Sequence, residues 1–444
     1  MQFSILIIDD EPKLRELMGR ILQLEGYHIL EAGTINEANK ILEREEVTLV
    51  LSDVRLPDGN GVNYCADLKN RFPAIEIIVL TAYGTIADGV KAIQNGAFDY
   101  LTKGDDNDRI LPLVSKAIDK AQLQSRVIAL EKRVGQKYSF DSITGDSPTI
   151  KSAITMAKKV AVTDATVLLL GETGTGKEVF AQSIHQESKR KQKPFLAINC
   201  SAFSRDILES ELFGHKAGAF TGALKDKKGL VEEAQGGTLF LDEIGEMNPE
   251  LQAKLLRVIE CGEYIKVGDT KTQVVNLRFI AATNRDLKEE ISTGHFREDL
   301  YYRLSVFKIT LPALRDRKED IEQLAYVYLK EFNIKMNAKI KSFSPKLLSK
   351  LQHLSWKGNI RELKNLVERL VIMAEGDVLT EQDLPWEYHL ETINESSSLS
   401  LANMEKLHIS KVWRLCKGNK TEAAHLLNIG LTTLYRKLEE FQIC

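Results

Sequence analysis

The sequence predicts an α/β chain in three parts: a doubly wound parallel sheet, a second α/β domain closed by helices, and a small all-α unit at the C-terminal end. Three observations predict it. From residue 3 to about 120, short apolar strands alternate with amphipathic helices. The run GETGTGKE at 171–178 is followed by GGTLFLDE at 236–243, a glycine-rich turn before a helix and then an apolar strand ending in two carboxylates. The polar, serine-rich stretch ETINESSSLS at 391–400 sets apart a helical segment at 403–444. At 444 residues the chain exceeds the roughly 250–300 residues at which a single core stops growing.

In the first part the strands are ILII at 5–8, VTLVLS at 47–52, EIIVLT at 76–81 and FDYLT at 98–102. Asp9 and Asp10 follow the first strand and Asp53 the second; Thr81 closes the third and Lys103 follows the last. In a parallel sheet these residues converge at the carboxyl edge, where such folds bind ligands. Three crowded carboxylates repel one another unless a divalent cation sits among them, and Mg²⁺ is the expected one. A hydroxyl and an ammonium at the same edge can contact a phosphoryl group carried on an aspartate. Beyond Pro112 a helical stripe of Leu113, Ala117, Ala121, Val127, Leu130 and Val134 continues to 134. It suits either pairing with a second copy or an ordinary last helix with a solvated tail. The domain is expected at 1–120, with a helical linker at 121–141.

DD at 9–10, D-x-x-x-P-x-x-x-G from Asp53 to Gly61, TA at 81–82 and DYLTK at 99–103 resemble a response-regulator receiver domain. The resemblance implies that Asp53 accepts phosphate from a histidine kinase, that Thr81 and Tyr100 carry the conformational change, and that Lys103 contacts the phosphoryl group. The receiver pattern usually has proline after that lysine; here it is Gly104.

In the second part, Gly171, Gly174 and Gly176 let backbone N–H groups close round a polyphosphate, and Lys177 reaches its outer phosphates. Asp242 suits Mg²⁺ and Glu243 suits the attacking water, so the pair predict nucleotide hydrolysis. Glu178 stands where many such loops place the Ser or Thr that binds Mg²⁺. ESELFGHKAGAFTGA at 209–223 ends in Gly218, Ala219, Phe220, Thr221, Gly222 and Ala223. By composition this is either a tight turn with Phe220 in the core or a mobile loop with an apolar tip. Helical material is expected from about 313 to 388, punctuated by the loops PALRDR and SWKGN, with a flexible linker at 389–402.

A P-loop ending in Glu178, followed by an intact GAFTGA, resembles the bacterial enhancer-binding ATPases of the NtrC type, a branch of the AAA+ family. The resemblance implies an ATPase domain at 142–388 with ATP held by Gly171, Glu172, Thr173, Gly174, Thr175, Gly176, Lys177 and Glu178. It also implies that loop 218–223 touches the sigma-54 factor of RNA polymerase. Thr283 and Asn284, ending the strand RFIAAT, resemble the sensor I position that reads the γ-phosphate, and Arg361 in GNIREL resembles sensor II. Asn199 matches the asparagine that holds the catalytic glutamate, Glu243, idle. Arg297 and Arg303 in FREDLYYRL are implied to be fingers reaching the ATP of the next subunit in a homo-oligomer running from dimer to hexameric ring. Ser355-Trp356-Lys357 departs from the family's usual proline-tryptophan-proline.

GNKTEAAHLLNIGLTTLYRKLEEF at 418–441 reads as two short helices round a turn, with Thr421 as cap, Ala423, Ala424 and Leu427 facing inward and Asn428–Gly430 as the break. Its segment carries seven basic residues (Lys406, Lys411, Arg414, Lys417, Lys420, Arg436, Lys437) against four glutamates. It resembles the Fis-like helix-turn-helix, which implies Thr432, Thr433 and Arg436 in the major groove of double-stranded DNA and Lys420 and Lys437 at phosphates. A small dimerisation unit is the other reading.

With 60 basic and 63 acidic residues the net charge is −3, so any nucleic-acid surface must be local. Five scattered cysteines (Cys65, Cys200, Cys261, Cys416, Cys444) argue against a disulfide scaffold and a zinc site. No apolar run reaches the roughly 18 residues a membrane span needs, and MQFSILIIDDEP meets two aspartates where a signal peptide requires apolar residues. A cytoplasmic protein is expected. Taken together, the resemblances imply a phosphorylation-controlled activator that binds enhancer DNA and hydrolyses ATP to remodel sigma-54 RNA polymerase. A DNA-binding response regulator acting through the common sigma factors is the first alternative; intact GAFTGA, Asp242, Glu243 and the two arginines count against it. An AAA+ protein-remodelling chaperone is the second, and the receiver and helix-turn-helix patterns count against that.

Overall fold

A computed structural model describes residues 3–81, 86–103, 107–374, 376–390, 401–416, 418–441 and 443. Ala82, Gly104 and the linker at 391–400 lie outside the described residues. The chain divides into two compact units, Met1–Lys137 and Tyr138–Cys444.

In the first unit the strands are β1 (Ser4–Ile8), β2 (His28–Ala32), β3 (Leu49–Asp53), a small hairpin of β4 (Arg55–Leu56) and β5 (Gly59–Asn60), then β6 (Glu76–Thr81) and β7 (Asp99–Thr102). Five of them form a parallel sheet in the order β2-β1-β3-β6-β7. The helices are α1 (Pro12–Leu24), α2 (Ile35–Leu42), α3 (Gly61–Arg71), α4 (Ile86–Gln94) and α5 (Asn107–Lys137). Strand side chains alternate between two buried faces: Ile5, Ile7, Leu49, Leu51, Ile78 and Leu80 pack on one, Leu6, Ile8, Val50, Ile77 and Val79 on the other. Each such side chain contributes about 1.5–3 kcal/mol when fully buried, which is why the strands are apolar throughout rather than in alternation.

Two local features fix the carboxyl edge of this sheet. A Cβ on Gly61 would lie 1.9 Å from the Asp53 carbonyl, so only glycine lets the chain double back beneath Asp53. Asp58, in the same turn, accepts from Ile35 N and Asn36 N at 2.9 Å each and so satisfies the free N–H groups that open α2. The stripe along α5 divides by function. Ala117 and Ala121 are buried against the sheet, whereas Leu123 and Val127 are exposed; the side chains of Leu130 and Val134 lie outside the described ones.

The second unit opens with α6 (Pro148–Ala161), β8 (Val167–Leu170), α7 (Lys177–Gln186), β9 (Phe195–Asn199) and α8 (Arg205–Phe213). A short hairpin, β10 (Gly214–His215) with β11 (Lys227–Lys228), brackets the GAFTGA loop and leads through α9 (Leu230–Glu233) into β12 (Thr238–Asp242). After α10 (Pro249–Cys261) come a second hairpin, β13 (Glu263–Ile265) and β14 (Thr272–Val274), then β15 (Arg278–Thr283), α11 (Leu287–Ser292), α12 (Glu298–Leu304) and β16 (Phe307–Thr310). The parallel sheet runs β16-β8-β15-β12-β9, so the P-loop after β8, the carboxylates ending β12 and Thr283 ending β15 share one edge. Arg278 enters this sheet fully buried, yet its guanidinium donates to Val160 O and Ala161 O at 2.8 Å each. Those carbonyls lie in the last turn of α6, where the i+4 donors run out; Val160 O also accepts from Thr163 N at 3.1 Å and Thr163 Oγ1 at 2.8 Å.

Helices α13 (Lys318–Met336), α14 (Pro345–His353) and α15 (Asn359–Met373) form the lid, built round Trp356. Its ring is wholly buried and its Nε1–H donates to Leu351 O at 2.8 Å, so the altered flanks Ser355 and Lys357 leave the anchor itself in place. The last three helices, Leu401–Leu415, Lys420–Leu426 and Leu431–Glu440, have their own core of Ile409, Val412, Ala423, Ala424, Leu434 and Leu438. The break at Asn428 takes a left-handed φ of 53°. The cap is Asn419 and not Thr421: its side chain accepts from Glu422 N at 3.3 Å, and the helix begins one residue before the expected cap. Among the described residues no helix is long and apolar enough to cross a membrane.

Candidate active site

At the edge of the first sheet, Asp9, Asp10 and Asp53 each bring a carboxylate oxygen within 4.8 Å of the others. Lys103 Nζ lies 2.7 Å from Asp9 Oδ2 and 2.6 Å from Asp53 Oδ2. Burial alone would lower the lysine's pKa, but its hydrogen bonds to Asp53 and Asp9 outweigh burial and hold it above the ordinary value. Backbone N–H groups of Glu11 and Arg55 donate to Asp9 Oδ1 at 2.9 Å and Asp53 Oδ1 at 3.3 Å. A hard, all-oxygen donor set of this kind fits Mg²⁺. Thr81 is buried beside it. Tyr100 packs its ring on Gly89, and burial raises its pKa against the opposing effect of the Thr81 hydroxyl.

In the second unit Lys177 is buried at the start of α7, and its Nζ donates to Gly171 O at 2.9 Å, Glu172 O at 3.4 Å and Glu243 Oε1 at 3.5 Å. Glu243 adopts a left-handed φ of 51°, which turns its carboxylate out of the line of β12. Its Oε2 accepts from Asn284 N at 3.2 Å, while Asn284 Nδ2 donates to Thr173 Oγ1 at 3.2 Å. The residues at the ends of β8, β12 and β15 are therefore joined in one hydrogen-bonded set. Asp242 Oδ1 is buried with no partner among the described residues. Burial, then the charge of Glu243, raises the pKa of Asp242; an orphaned buried oxygen beside a second carboxylate fits a divalent cation. Glu178 is exposed and accepts from Gln182 Nε2 at 3.2 Å.

Asn199 pairs with Asp242 across the β9–β12 register, but its Oδ1 accepts from Ser201 N at 2.8 Å and Ser201 Oγ at 2.7 Å. The contact to Glu243 implied by the resemblance is not made in this conformation; Glu243 is held by Lys177 and Asn284 instead. Arg361, on α15, stands against the P-loop: a Cβ on Gly174 would lie 3.2 Å from Arg361 Cβ. A cavity of about 240 Å³ there is lined by Thr173, Gly358, Arg361, Glu362, Asn365 and Tyr388. Thr283 is buried, and its Oγ1 accepts from Arg285 N at 3.1 Å.

The GAFTGA loop is closed at its base by Gly218 N donating to Ala223 O at 2.8 Å and by a Lys216–Asp226 ion pair at 2.6 Å. Phe220 is 46% exposed, its ring edge-on to His215 at 5.0 Å between centroids. Of the two readings open from composition, the structure therefore presents the exposed apolar tip. Arg297 and Arg303 flank α12 at the surface, where Arg297 pairs with Asp299 at 2.7 Å and Arg303 with Glu260 at 2.7 Å. Thr432, Thr433 and Arg436 are exposed along the last helix. Lys437, in contrast, is turned onto Glu405 at 2.8 Å and Glu440 at 3.4 Å, so in this structure acidic neighbours occupy the ammonium expected at phosphate. Lys420 lies 4.5 Å over the ring of Tyr435, itself exposed.

Sequence reasoning passed over Arg315, Arg317 and Asn359, which contact the P-loop from the lid side. PALRDR had been read only as punctuation. Its density of arginines beside the expected sheet edge was the available signal, because arginines near a polyphosphate loop seldom serve only solvation.

Four family models match along the chain: a response regulator receiver domain at residues 5–124, a sigma-54 interaction domain at 143–310, an AAA+ ATPase lid domain at 315–400, and the bacterial regulatory protein, Fis family, at 400–441. The transcriptional regulatory protein ZraR of Klebsiella oxytoca is 39% identical over 98% of this chain and 99% of its own. The transcriptional regulatory protein GlrR of Escherichia coli K12 is 40% identical over 99% of this chain and 97% of its own. Among solved structures, NtrX from Brucella abortus in complex with ATP is similar, with a TM-score of 0.69, 30% sequence identity and full coverage of both chains.

Asp242→Asn removes a charge that burial and Glu243 disfavour. Because the folded pKa of Asp242 lies above its unfolded value, the charged form costs stability above the folded pKa, and the cost vanishes as pH falls through the ordinary carboxylate range. In EDTA and without nucleotide, the variant is expected to unfold above the wild type at pH 8, with a gain that shrinks as pH is lowered to 4. Scanning fluorimetry at both pH values checks this; no gain at pH 8, or the same gain at pH 4, would contradict it.

Proposed function

Because the chain belongs to the sigma-54-dependent response regulators, transcription activators that join a receiver, an AAA+ ATPase and a Fis-type helix-turn-helix, we propose that phosphorylation of Asp53 by a histidine kinase releases assembly of the ATPase into a ring. Asp9, Asp10 and Asp53 hold Mg²⁺, Lys103 moves from the carboxylates to the phosphoryl group, and Thr81 and Tyr100 follow it. Mg²⁺-ATP supplies the phosphoryl group that is lost to water. Gly171 to Glu178 cradle its phosphates, Asp242 holds the cation, and Thr283, Asn284 and Arg361 orient the γ-phosphate end. Glu243 positions and deprotonates the water once released from Lys177, and Asn199 restrains it after swinging from Ser201. The ATP-bound crystal structure of NtrX supports ATP as the nucleotide. The last helix reads enhancer DNA through Thr432, Thr433 and Arg436, with Lys420 near phosphate and Lys437 joining it only if freed from Glu405. The setting is the cytoplasm, where kinase, polymerase and DNA meet.

One observation carries the sigma-54 reading in particular. Phe220 is a large apolar side chain held half in water at the tip of a loop whose base is pinned by an ion pair and a backbone hydrogen bond. Such exposure has no use in the folded monomer and suits a partner contact. Glu243→Ala should bind ATP and hydrolyse it very slowly, whereas Phe220→Ala should keep its ATPase activity and fail to activate sigma-54 transcription. Normal activation by Phe220→Ala would contradict the contact-loop role.

Arg297 and Arg303 complete the neighbour's active site, guanidinium suiting the charge that develops on a transferring phosphoryl. Both sit at the surface on carboxylates they can leave at small cost, since exposed ion pairs are worth about 0–1 kcal/mol. Arg303→Ala and Lys177→Ala subunits should each be nearly inactive alone and recover ATPase activity when mixed, because a finger contributes about 10³–10⁵ in rate. No recovery in rings shown to contain both subunits would make Arg303 a structural residue of its own subunit.

A further inference from the structure

Glu172, the second residue of the P-loop run, has its carboxylate engaged away from the phosphate cradle. Arg315 grips it with both ends of its guanidinium fork, Nη1 to Oε2 at 2.9 Å and Nη2 to Oε1. Asn359 Nδ2 donates to the same Oε2 at 3.1 Å and to Thr173 O at 3.0 Å. Asn359 is fully buried with a left-handed φ of 54°, and its Oδ1 accepts from Leu314 N at 2.7 Å. It opens α15, the helix that carries Arg361. The fit of loop to lid is close: a Cβ on Gly174 would lie 2.2 Å from Gly358 O, and Ile360 N donates to Gly174 O at 3.0 Å.

We propose that Glu172 is a positioning residue that couples occupancy of the P-loop to the orientation of the lid. The main chain of the same residue provides the input. Lys177 Nζ and Thr175 Oγ1 both donate to Glu172 O, at 3.4 Å and 2.8 Å. When Lys177 leaves that carbonyl for phosphate, the peptide at 172 loses a charged partner, and the carboxylate carries the adjustment to Arg315 and Asn359, hence to the turn at Leu314–Asp316 and to α15. Lid and P-loop are thereby held in the relative position in which Arg361 faces the nucleotide. The inference rests on the ATPase reading of this domain, and a binding measurement with ADP separates it from the hydrolysis chemistry.

Forked, charge-assisted bonds are among the stronger ones, but this pair is partly exposed and so is discounted. Glu172→Ala and Arg315→Ala, both at side chains over 40% exposed and therefore tolerant of truncation, are each expected to weaken ADP binding about five- to tenfold by calorimetry. In ATPase assays KM should rise by more than kcat falls, and hydrogen exchange of α15 should quicken in the ADP-bound protein. Asn359→Asp keeps the acceptor for Leu314 N but turns a donor into an acceptor against Glu172, and should weaken ADP binding likewise. Unchanged ADP affinity in both Glu172→Ala and Arg315→Ala would overturn the proposal, as would a loss confined to kcat.

Discussion

Both α/β domains are organised by one electrostatic constraint: carboxylates gathered at the carboxyl edge of a parallel sheet repel one another, and in this conformation one lysine in each domain offsets part of that charge. In the receiver Lys103 sits within 2.7 Å of Asp9 and Asp53. In the ATPase Lys177 approaches Glu243 at 3.5 Å while two P-loop carbonyls take the rest of its hydrogen bonds. Parallel strands create the crowding, because successive strand ends arrive on the same side. Under the proposed function each lysine is a displaceable occupant of the phosphoryl site. Moving it changes the balance of charge around the aspartates or glutamate, and the surrounding loops must answer.

The answer is carried by short hydrogen-bonded paths. Glu243 accepts from Asn284 N, and Asn284 reaches Thr173 in the P-loop, so the ends of three strands cannot move independently. On the lid side Asn359 joins the P-loop to α15 and to Leu314. Toward the proposed polymerase contact, His215 bridges α8 and the GAFTGA loop: its Nδ1 lies 2.7 Å from Ser210 Oγ and its ring meets Phe220. Ala219 also abuts Gly268 in the β13–β14 hairpin, which places two loops side by side above the sheet. The exposed Phe220 is carried on a loop whose base is closed by a backbone hydrogen bond and an ion pair.

Much of this was legible in the sequence because parallel α/β folds put chemistry at strand ends. The runs ILIIDD, VTLVLSD and TLFLDE each show an apolar strand stopping at its carboxylates, and those residues converge as the topology requires. What was not legible depends on side-chain choice between near-equal partners. Asn199 can turn to Ser201 or toward Glu243, and Lys437 can face solvent or Glu405; a linear pattern does not rank these. Asn419 outranked Thr421 as cap because the helix begins two residues earlier than a cap at Thr421 would place it, and asparagine is the better cap. The lid contacts of Arg315 and Asn359 join residues far apart in sequence, and only the folded chain brings them to Glu172.

The most direct measurement of the whole account is promoter opening by purified protein with sigma-54 polymerase, followed by permanganate reactivity of unpaired thymines, after treatment with acetyl phosphate and Mg²⁺. The account predicts phosphate incorporation that is lost in Asp53→Asn. It also predicts opening that needs both the phosphorylated wild type and hydrolysable ATP. Incorporation undiminished in Asp53→Asn, or opening supported equally by a non-hydrolysable analogue, would contradict it.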